Sequence, residues 1–345
     1  MVRFLRKINL WLIFFTLIAY SAPFISPHSV SFVLFIGLAY PWLLLLNVIF
    51  IILWALSRMP YWWYSAVCIL LGWNYLISVV GFNFRDKTPS GQSLKIMTYN
   101  VGGVTVKSDK LFKLNDFLAA QNCDIICAQE FSGTTAVEFN NQTERLSVLS
   151  QMPYNVPCQA NTVAIFSKYP IVQKGSLSFE NANGSNGCSF ADIQMANKII
   201  RIYAVHLRSN TVTDIADDLA DDNYEKRATW SKIFTMLKRV RKMAQHRAKE
   251  SEKIAAHIAS SPYPVILCGD FNDIPVSYSY NLLSTNLKDT FSERGFGFGV
   301  TYNGNIPALK IDHILTDKKM AVFSCKILKV PYSDHYPVVS EIGLP

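Results

Sequence analysis

VILCGDFNDIP, residues 265–275, decides the fold. Val265 to Cys268 is a short, continuously apolar run, which reads as a buried strand. The chain turns polar directly behind it, at Gly269-Asp270-Phe271-Asn272. A strand terminus is rigid behind and exposed ahead, so polar side chains held there by several adjacent strands can converge on one point. Alone, the tetrapeptide is equally compatible with an ordinary turn.

Similar segments recur along the chain. Thr98-Tyr99-Asn100 ends the strand-like run Leu94–Tyr99, Gln129-Glu130 ends Asp124–Gln129, and His206 follows Ile199–Val205. Ile311-Asp312-His313 and Ser333-Asp334-His335 lie at the runs Ile311–Leu315 and Val338–Ile342, and a further strand is expected at Thr162–Ser167. Helical stretches alternate with these runs. The longest is expected from Asp222 to Ala259, where Trp230, Ile233, Phe234, Leu237, Val240 and Ala244 recur at helical spacing. Its basic portion, Lys238 to Lys253, reads as a solvated helix face, with anionic lipid or substrate as the alternative. No internal repeat is present, and this order predicts an α/β layered sandwich, a mixed sheet with helices outside it, across one domain of residues 94–345.

The converging groups are three Asp, one Glu, two Asn and two His, an oxygen-rich set without a thiolate. Such a set suits a hard cation, Mg²⁺ with Mn²⁺ as the alternative, better than zinc. A cation of this kind neutralises charge on phosphate oxygens, while His and Asp move protons near neutral pH. Asp273 and His313 adjoin these positions but face the other way along their strands, and are expected to be structural. Thr301 and Tyr302 are candidates for the substrate entrance.

In this order the segments KIMTYN, CAQE, VHL, CGDFNDIP, KIDHIL and SDHYPV resemble the endonuclease/exonuclease/phosphatase superfamily, over about Leu94 to Ile342. The resemblance implies a DNase-I-like, four-layered α/β sandwich and a metal-dependent phosphoesterase, either diesterase or monoesterase. It implies that Glu130 is the main Mg²⁺ ligand, helped by Asn100 and Asp334. Asp270 would orient or deprotonate the attacking water, Asn272 and His206 would hold the scissile phosphate, and His335, oriented by Asp312, would contact it. A carboxylate on the far nitrogen of a catalytic His is also what tautomer control requires.

The N-terminal 84 residues lie outside that resemblance. Half of the 345 residues are hydrophobic, and the apolar ones concentrate in three runs, 8–25, 31–56 and 61–82, each near the ~20 residues that cross a bilayer. Three transmembrane helices and a linker at 85–93 are therefore expected. A cleaved signal peptide fits Arg3, Arg6 and Lys7 before the first run but not the two acid-free runs behind it. Arg3, Arg6, Lys7 and Arg58 fall on one side of the spans, so the catalytic domain is expected to be extracytoplasmic, with Arg85 and Lys87 counting against it. Trp42, Trp54, Trp62, Trp63 and Trp73 include candidates for the membrane interface.

Of the net charge of +8, residues 1–84 carry +4 without a single acid, and the remaining +4 is too small an excess to argue for nucleic acid. Seven cysteines show no zinc spacing. Cys123, Cys127 and Cys268 are expected in apolar packing, whereas Cys158 and Cys188 lie in polar, loop-like contexts and are disulfide candidates if the domain is extracytoplasmic. The expected partners are a lipid bilayer and a phosphoester substrate, either a phospholipid headgroup or nucleic acid, with no protein partner evident. An inactive tethered binding protein and a transporter are the competing classes. The first usually lacks ligands, and none is missing; the second needs charged groups within its spans.

Overall fold

The computed structural model describes residues 1–89, 91–102, 109–131, 136–157, 163–179, 186–209, 226–304 and 309–345. Five helices come first: α1 (Val2–Ala19), α2 (Ser31–Leu38), α3 (Tyr40–Leu56), α4 (Trp62–Leu71) and α5 (Trp73–Val79). The strands are β1 (Val80–Phe82), β2 (Ser93–Asn100), β3 (Ile125–Gln129), β4 (Tyr154–Pro157), β5 (Val163–Ser167), β6 (Ile171–Leu177) and β7 (Gly187–Met195), then β8 (Lys198–His206), β9 (Val265–Asp270), β10 (Leu287–Asp289), β11 (Phe296–Phe298), β12 (Asp312–Asp317), β13 (Val322–Ile327) and β14 (Val338–Gly343). Among them lie α6 (Asp109–Ala120), α7 (Ala136–Leu149), α8 (Lys226–Ala259), α9 (Tyr278–Ser284) and α10 (Thr290–Arg294).

Two six-stranded sheets, ordered β13-β14-β2-β3-β5-β4 and β10-β12-β9-β8-β7-β6, stack face to face. Ile96, Ile125 and Ile165 of the first pack against Ile202, Ile266 and Ile314 of the second. The outer face of the first sheet is covered by α6 and α7 through Leu114, Leu118 and Leu146, and that of the second by α8 and α9 through Ile254 and Leu283. Strands buried on both faces read as continuous apolar runs, which is why the central ones are legible. All seven expected strands are present within a residue or two, and the layering is the expected four-layered α/β sandwich. Of the expected long helix, 222–225 lie outside the described residues.

The N-terminal runs depart from the expectation of three unbroken spans. Among the described residues no single helix is long and apolar enough to cross a membrane; α2 with α3, bent by 54°, and α4 with α5, bent by 81°, meet that test only as pairs. The first break precedes Pro41 at the start of α3, where a ring without an N–H interrupts the ladder. The second is at Gly72, where a Cβ would lie 2.1 Å from the Tyr20 ring, so the absent side chain admits that tyrosine.

The third run also ends differently. Val80–Phe82 forms β1, antiparallel to β11 from the far end of the chain, instead of the last turn of a span. The N-terminal 84 residues are therefore built into the rest of the protein. Ala19, Ile36, Tyr40 and Leu44 share one buried cluster with Ile274, Val276, Tyr302 and Ile311. Trp54, expected among the candidates for the interface, is buried, and its Nε1 donates to Asn9 Oδ1 at 3.1 Å. Cys123, Cys127 and Cys268 are buried as expected. Cys188 is buried in β7 instead of lying in a loop, and Cys158 lies outside the described residues.

Candidate active site

The site forms where the strands of both sheets end. β8 and β9 are parallel, and their last residues, His206 and Asp270, are register partners; β12 runs antiparallel to β9, so its first residue, Asp312, pairs with Asp270 from the other side. Three adjacent strands thus present an imidazole and two carboxylates at one edge. Gly269 makes this possible: its φ is +154°, and a Cβ would stand 1.9 Å from Val205 O. In the other sheet, Asn100 ends β2 beside Gln129 of the parallel β3, and Glu130 follows with φ +51°. Asn272 also has positive φ, +49°. Left-handed backbone at two non-glycine residues is strain of the kind functional sites hold.

Asn100 joins the two sheets. Its Nδ2 donates to Glu130 Oε1 at 3.1 Å and to Asp270 Oδ2 at 3.0 Å, and its Oδ1 accepts from Gly102 N. His206 Nε2 lies 3.7 Å from that Glu130 oxygen and 3.6 Å from Asp270 Oδ2. The other Asp270 oxygen accepts from Asn272 N at 2.7 Å, and Asn272 Nδ2 donates to Leu207 O, leaving its second hydrogen for a ligand. Asp312 Oδ2 lies 2.9 Å from His335 Nδ1, and His335 Nε2 is 3.8 Å from Asp270. The Glu130 side chain is 40% exposed, whereas Asp270, Asp312, His206 and His335 are buried, so Glu130 stands at the mouth.

Electrostatics follow from this packing. Burial works against a charged His335, yet Asp312, Asp270 and Asp334 outweigh it and push the imidazole up to about 10. Burial in turn raises the Asp312 carboxyl. The pair holds its proton on the ring.

Of the expected residues, Asn100, Glu130, His206, Asp270, Asn272, Asp312 and His335 converge. Asp334 is exposed at the rim, accepting from Ser333 Oγ at 3.2 Å. Among the described residues, Asp270, Asp312 and His335 form a group whose ligand atoms lie within 4.8 Å of one another. Two buried polar groups here lack hydrogen-bond partners among the described residues, both nitrogens of His206 and Oδ1 of Asp312. An acid-rich gap with orphaned buried polar atoms fits a hard divalent cation and an anionic ligand.

Thr301 does not line an entrance. It is buried, and its Oγ1 accepts from Ile311 N and Asp312 N, both at 3.0 Å, fixing the start of β12. Tyr302 is also buried, its ring 5.1 Å from that of His335. Asp273 and His313 do face away. Asp273 pairs with Arg247, and His313 meets Lys310 beside Asp289.

Sequence reading missed the brace behind the loops. Arg247 and Glu250 lie inside the basic stretch taken as a solvated face, yet both are buried. Arg247 donates to Asp273 Oδ2 and to Arg208 O, and Glu250 accepts from Asn186 Nδ2 and Arg208 N. The loops behind Asp270 and His206 are thereby tied to one helix. The signal available was Glu250 itself, the first acid of α8.

Two stacked sheets with acids, amides and imidazoles at one edge define a phosphoester hydrolase. The sequence profile of the Endonuclease/Exonuclease/phosphatase family matches residues 97–335, and the chain belongs to that family. A second profile, for a domain of unknown function, matches residues 2–79. Comparison with curated proteins gives no match. Among solved structures, an endonuclease/exonuclease/phosphatase from Bacteroides vulgatus is similar at 18% identity and TM-score 0.53, covering 74% of this chain and 100% of that one. A humanized D. rerio TDP2 is similar at 14% and 0.53, covering 73% and 99%. A mannosyl-6-phosphatase from Bacteroides thetaiotaomicron is similar at 16% and 0.50, covering 73% and 100%.

Proposed function

We propose that this protein is a membrane-anchored, Mg²⁺-dependent phosphoesterase that hydrolyses a phosphate ester by direct attack of water. The observation that carries the reading is Asn100 Nδ2 shared between Glu130 and Asp270, with His206 within 3.7 Å of both carboxylates. Mg²⁺, held by Glu130 and Asn100 with Asp334 at the rim, would supply charge neutralisation at the phosphate oxygens.

The protein's own groups do the rest. Asp270, fixed by Asn272 N and Asn100 Nδ2, orients the attacking water and accepts its proton through Oδ2. His206 and the second Nδ2 hydrogen of Asn272 hold non-bridging oxygens, where donors are worth most once water is excluded. His335, kept charged by Asp312, donates from Nε2 to the phosphate. TDP2 has been seen with a single-strand DNA product and the mannosyl-6-phosphatase is named for a phosphomonoester, so the chemistry is put forward as phosphoester hydrolysis on either a lipid headgroup or nucleic acid.

Anchoring is supported by an inverted distribution of polarity in the N-terminal helices. Asn9, Thr16, Asn47 and Ser65 are buried and bonded to one another, Asn9 to Ser65 at 2.7 Å and Asn47 to Thr16 at 2.9 Å, while Trp11, Phe14, Leu45, Ile49, Leu70 and Leu71 face outward. Small and polar residues inside with an apolar exterior suit helices surrounded by lipid. The helix pairs α2 with α3 and α4 with α5 are each long and apolar enough together to cross a bilayer, bent at their breaks. The ends of α1 and α5 and the start of α3 meet the catalytic domain, whereas Arg3, Arg6, Lys7 and Arg58 belong to the far ends, which agrees with an extracytoplasmic catalytic domain.

The test is hydrolysis by the full chain in detergent with Mg²⁺, on plasmid DNA, RNA, sphingomyelin, phosphoinositides and bis-p-nitrophenyl phosphate, beside Glu130→Ala and His335→Ala. Metal-dependent turnover lost in both variants is expected. Turnover unaffected by either substitution would reject the mechanism.

A further inference from the structure

Helix α8 is 34 residues long, about 51 Å at 1.5 Å per residue, and two different partners pack against it. Its C-terminal half covers the second sheet through Ile254 and ties down the active-site loops through Arg247 and Glu250. Its N-terminal half meets the N-terminal helices. Leu34 of α2 packs on Val240 and Ala244, with Met236 beside them, and Gln245 Nε2 donates to Pro27 O at 3.2 Å. If lipid surrounds those helices, this half of α8 lies at its surface.

The charge of that half is one-sided. From Lys226 to Lys242 there are seven Lys or Arg and no Asp or Glu. Lys238, Arg241 and Lys242 are exposed, and among the described residues none of them is in an ion pair. His246, on the same helix, is pushed down by burial and then by Arg208, Lys242 and Lys249. One turn before Lys238 on the outward side, Phe234 is 61% exposed. A solvated face accounts for the cations but not for the phenylalanine. Cations and an aromatic on one helix face, beside an apolar helical bundle, are the features of an interfacial helix.

We propose that the N-terminal half of α8 lies in the headgroup layer of the bilayer, with Phe234 entering the acyl boundary and Lys238, Arg241 and Lys242 binding anionic lipid headgroups. This rests on the membrane-anchored reading above. A nucleic acid could use the same cations, but it gives no reason for Leu34 of α2 to pack against Val240, or for Phe234 to face outward.

The experiment uses the full chain in lipid nanodiscs with a fluorophore attached at Phe234→Cys, the described native cysteines being buried. Quenching by lipids spin-labelled near the headgroup is compared between phosphatidylcholine discs and discs containing phosphatidylglycerol, with and without Lys238→Gln/Arg241→Gln/Lys242→Gln. Quenching is expected in anionic discs and is expected to weaken in the triple variant. The triple variant should also lose about 100-fold in preference for anionic vesicles, from the contribution of each Lys or Arg near a charged surface. A label that remains open to aqueous quencher in both discs overturns the proposal, as does protection only by a short single-stranded oligonucleotide. If the chain does not float with phosphatidylcholine vesicles, the anchoring reading fails with it; if it floats and Phe234 stays in water, this inference alone fails.

Discussion

His335 Nδ1 lies 2.9 Å from Asp312 Oδ2, and both groups are buried. The carboxylate determines which ring nitrogen is free to face substrate: Nε2, which points at Asp270 from 3.8 Å. Asp312→Asn keeps the shape and removes the charge. Turnover is expected to fall by about 10²- to 10⁴-fold, the range for a positioned proton donor, with KM much less affected. A loss below about 10-fold in steady-state kinetics would remove His335 from the chemistry.

Glu130 shares the Asn100 amide with Asp270 and is the exposed member of the set. Glu130→Gln should leave the fold intact and weaken Mg²⁺ binding by at least about 10- to 100-fold, the loss seen even when only a supporting partner is removed. Calorimetric titration of wild type and variant with Mg²⁺ measures this directly. Equal affinities would assign the metal to Asp270, Asp312 and His335 instead.

Asp289 accepts from Lys310 and from Tyr280 Oη in a pocket closed to water. Burial alone would raise its carboxyl, but Lys310 and His313 hold it far below the ordinary range. Asp289→Leu strands a buried ammonium and should cost about 3–5 kcal/mol. Denaturant unfolding tests it, and Asp289→Leu/Lys310→Met should recover much of the loss because no unpaired charge is left.

Burial raises Glu250 from 4.5 to about 6, against the pull of Arg208 N and Asn186. A folded pKa above the unfolded one means the folded state binds the proton more tightly. The stability from this group is therefore full below about 4.5 and is lost as pH rises through about 6, about 2 kcal/mol in all. The stability difference between wild type and Glu250→Gln should shift by that amount between acid and neutral pH. A pH-independent difference would show that Glu250 titrates normally.

Removing residues 1–79 uncovers Ile274, Val276, Tyr302 and Ile311. Each fully buried side chain of this kind is worth about 1.5–3 kcal/mol, so the truncated protein should unfold at lower temperature and aggregate. Differential scanning fluorimetry of the fragment against the full chain checks this. An unchanged midpoint would mean that the helices are a detachable anchor.

The central strands and the site were legible for the same reason. Ile266, Cys268 and Ile314 are buried between the sheets and Leu267 and Leu315 beneath the outer helices, so their strands read as apolar runs, and each run borders a functional polar residue, Asp270 or Asp312. β6 and β7 were not legible: Lys174 and Gly175 in one, and Gly187, Ser189 and Asp192 in the other, break the apolar pattern that their pairing restores. β1 could not be found locally, because Val80–Phe82 becomes a strand only by pairing with Phe296–Phe298. The brace of Arg247 and Glu250 was hidden by its neighbours, since burial of two charged residues within a basic helix leaves no periodic trace.

The pairing of β1 with β11 also bears on how the chain is made. Phe82 leaves the ribosome more than 200 residues before Phe296, roughly 10–40 s at ordinary elongation rates. During that interval the edge of Val80–Phe82 and the faces of Ala19, Ile36 and Tyr40 that will cover Ile274 and Ile311 have no partner. Nascent chains stalled before residue 296 should therefore expose that edge to proteases and chaperones, and release beyond residue 311 should close it.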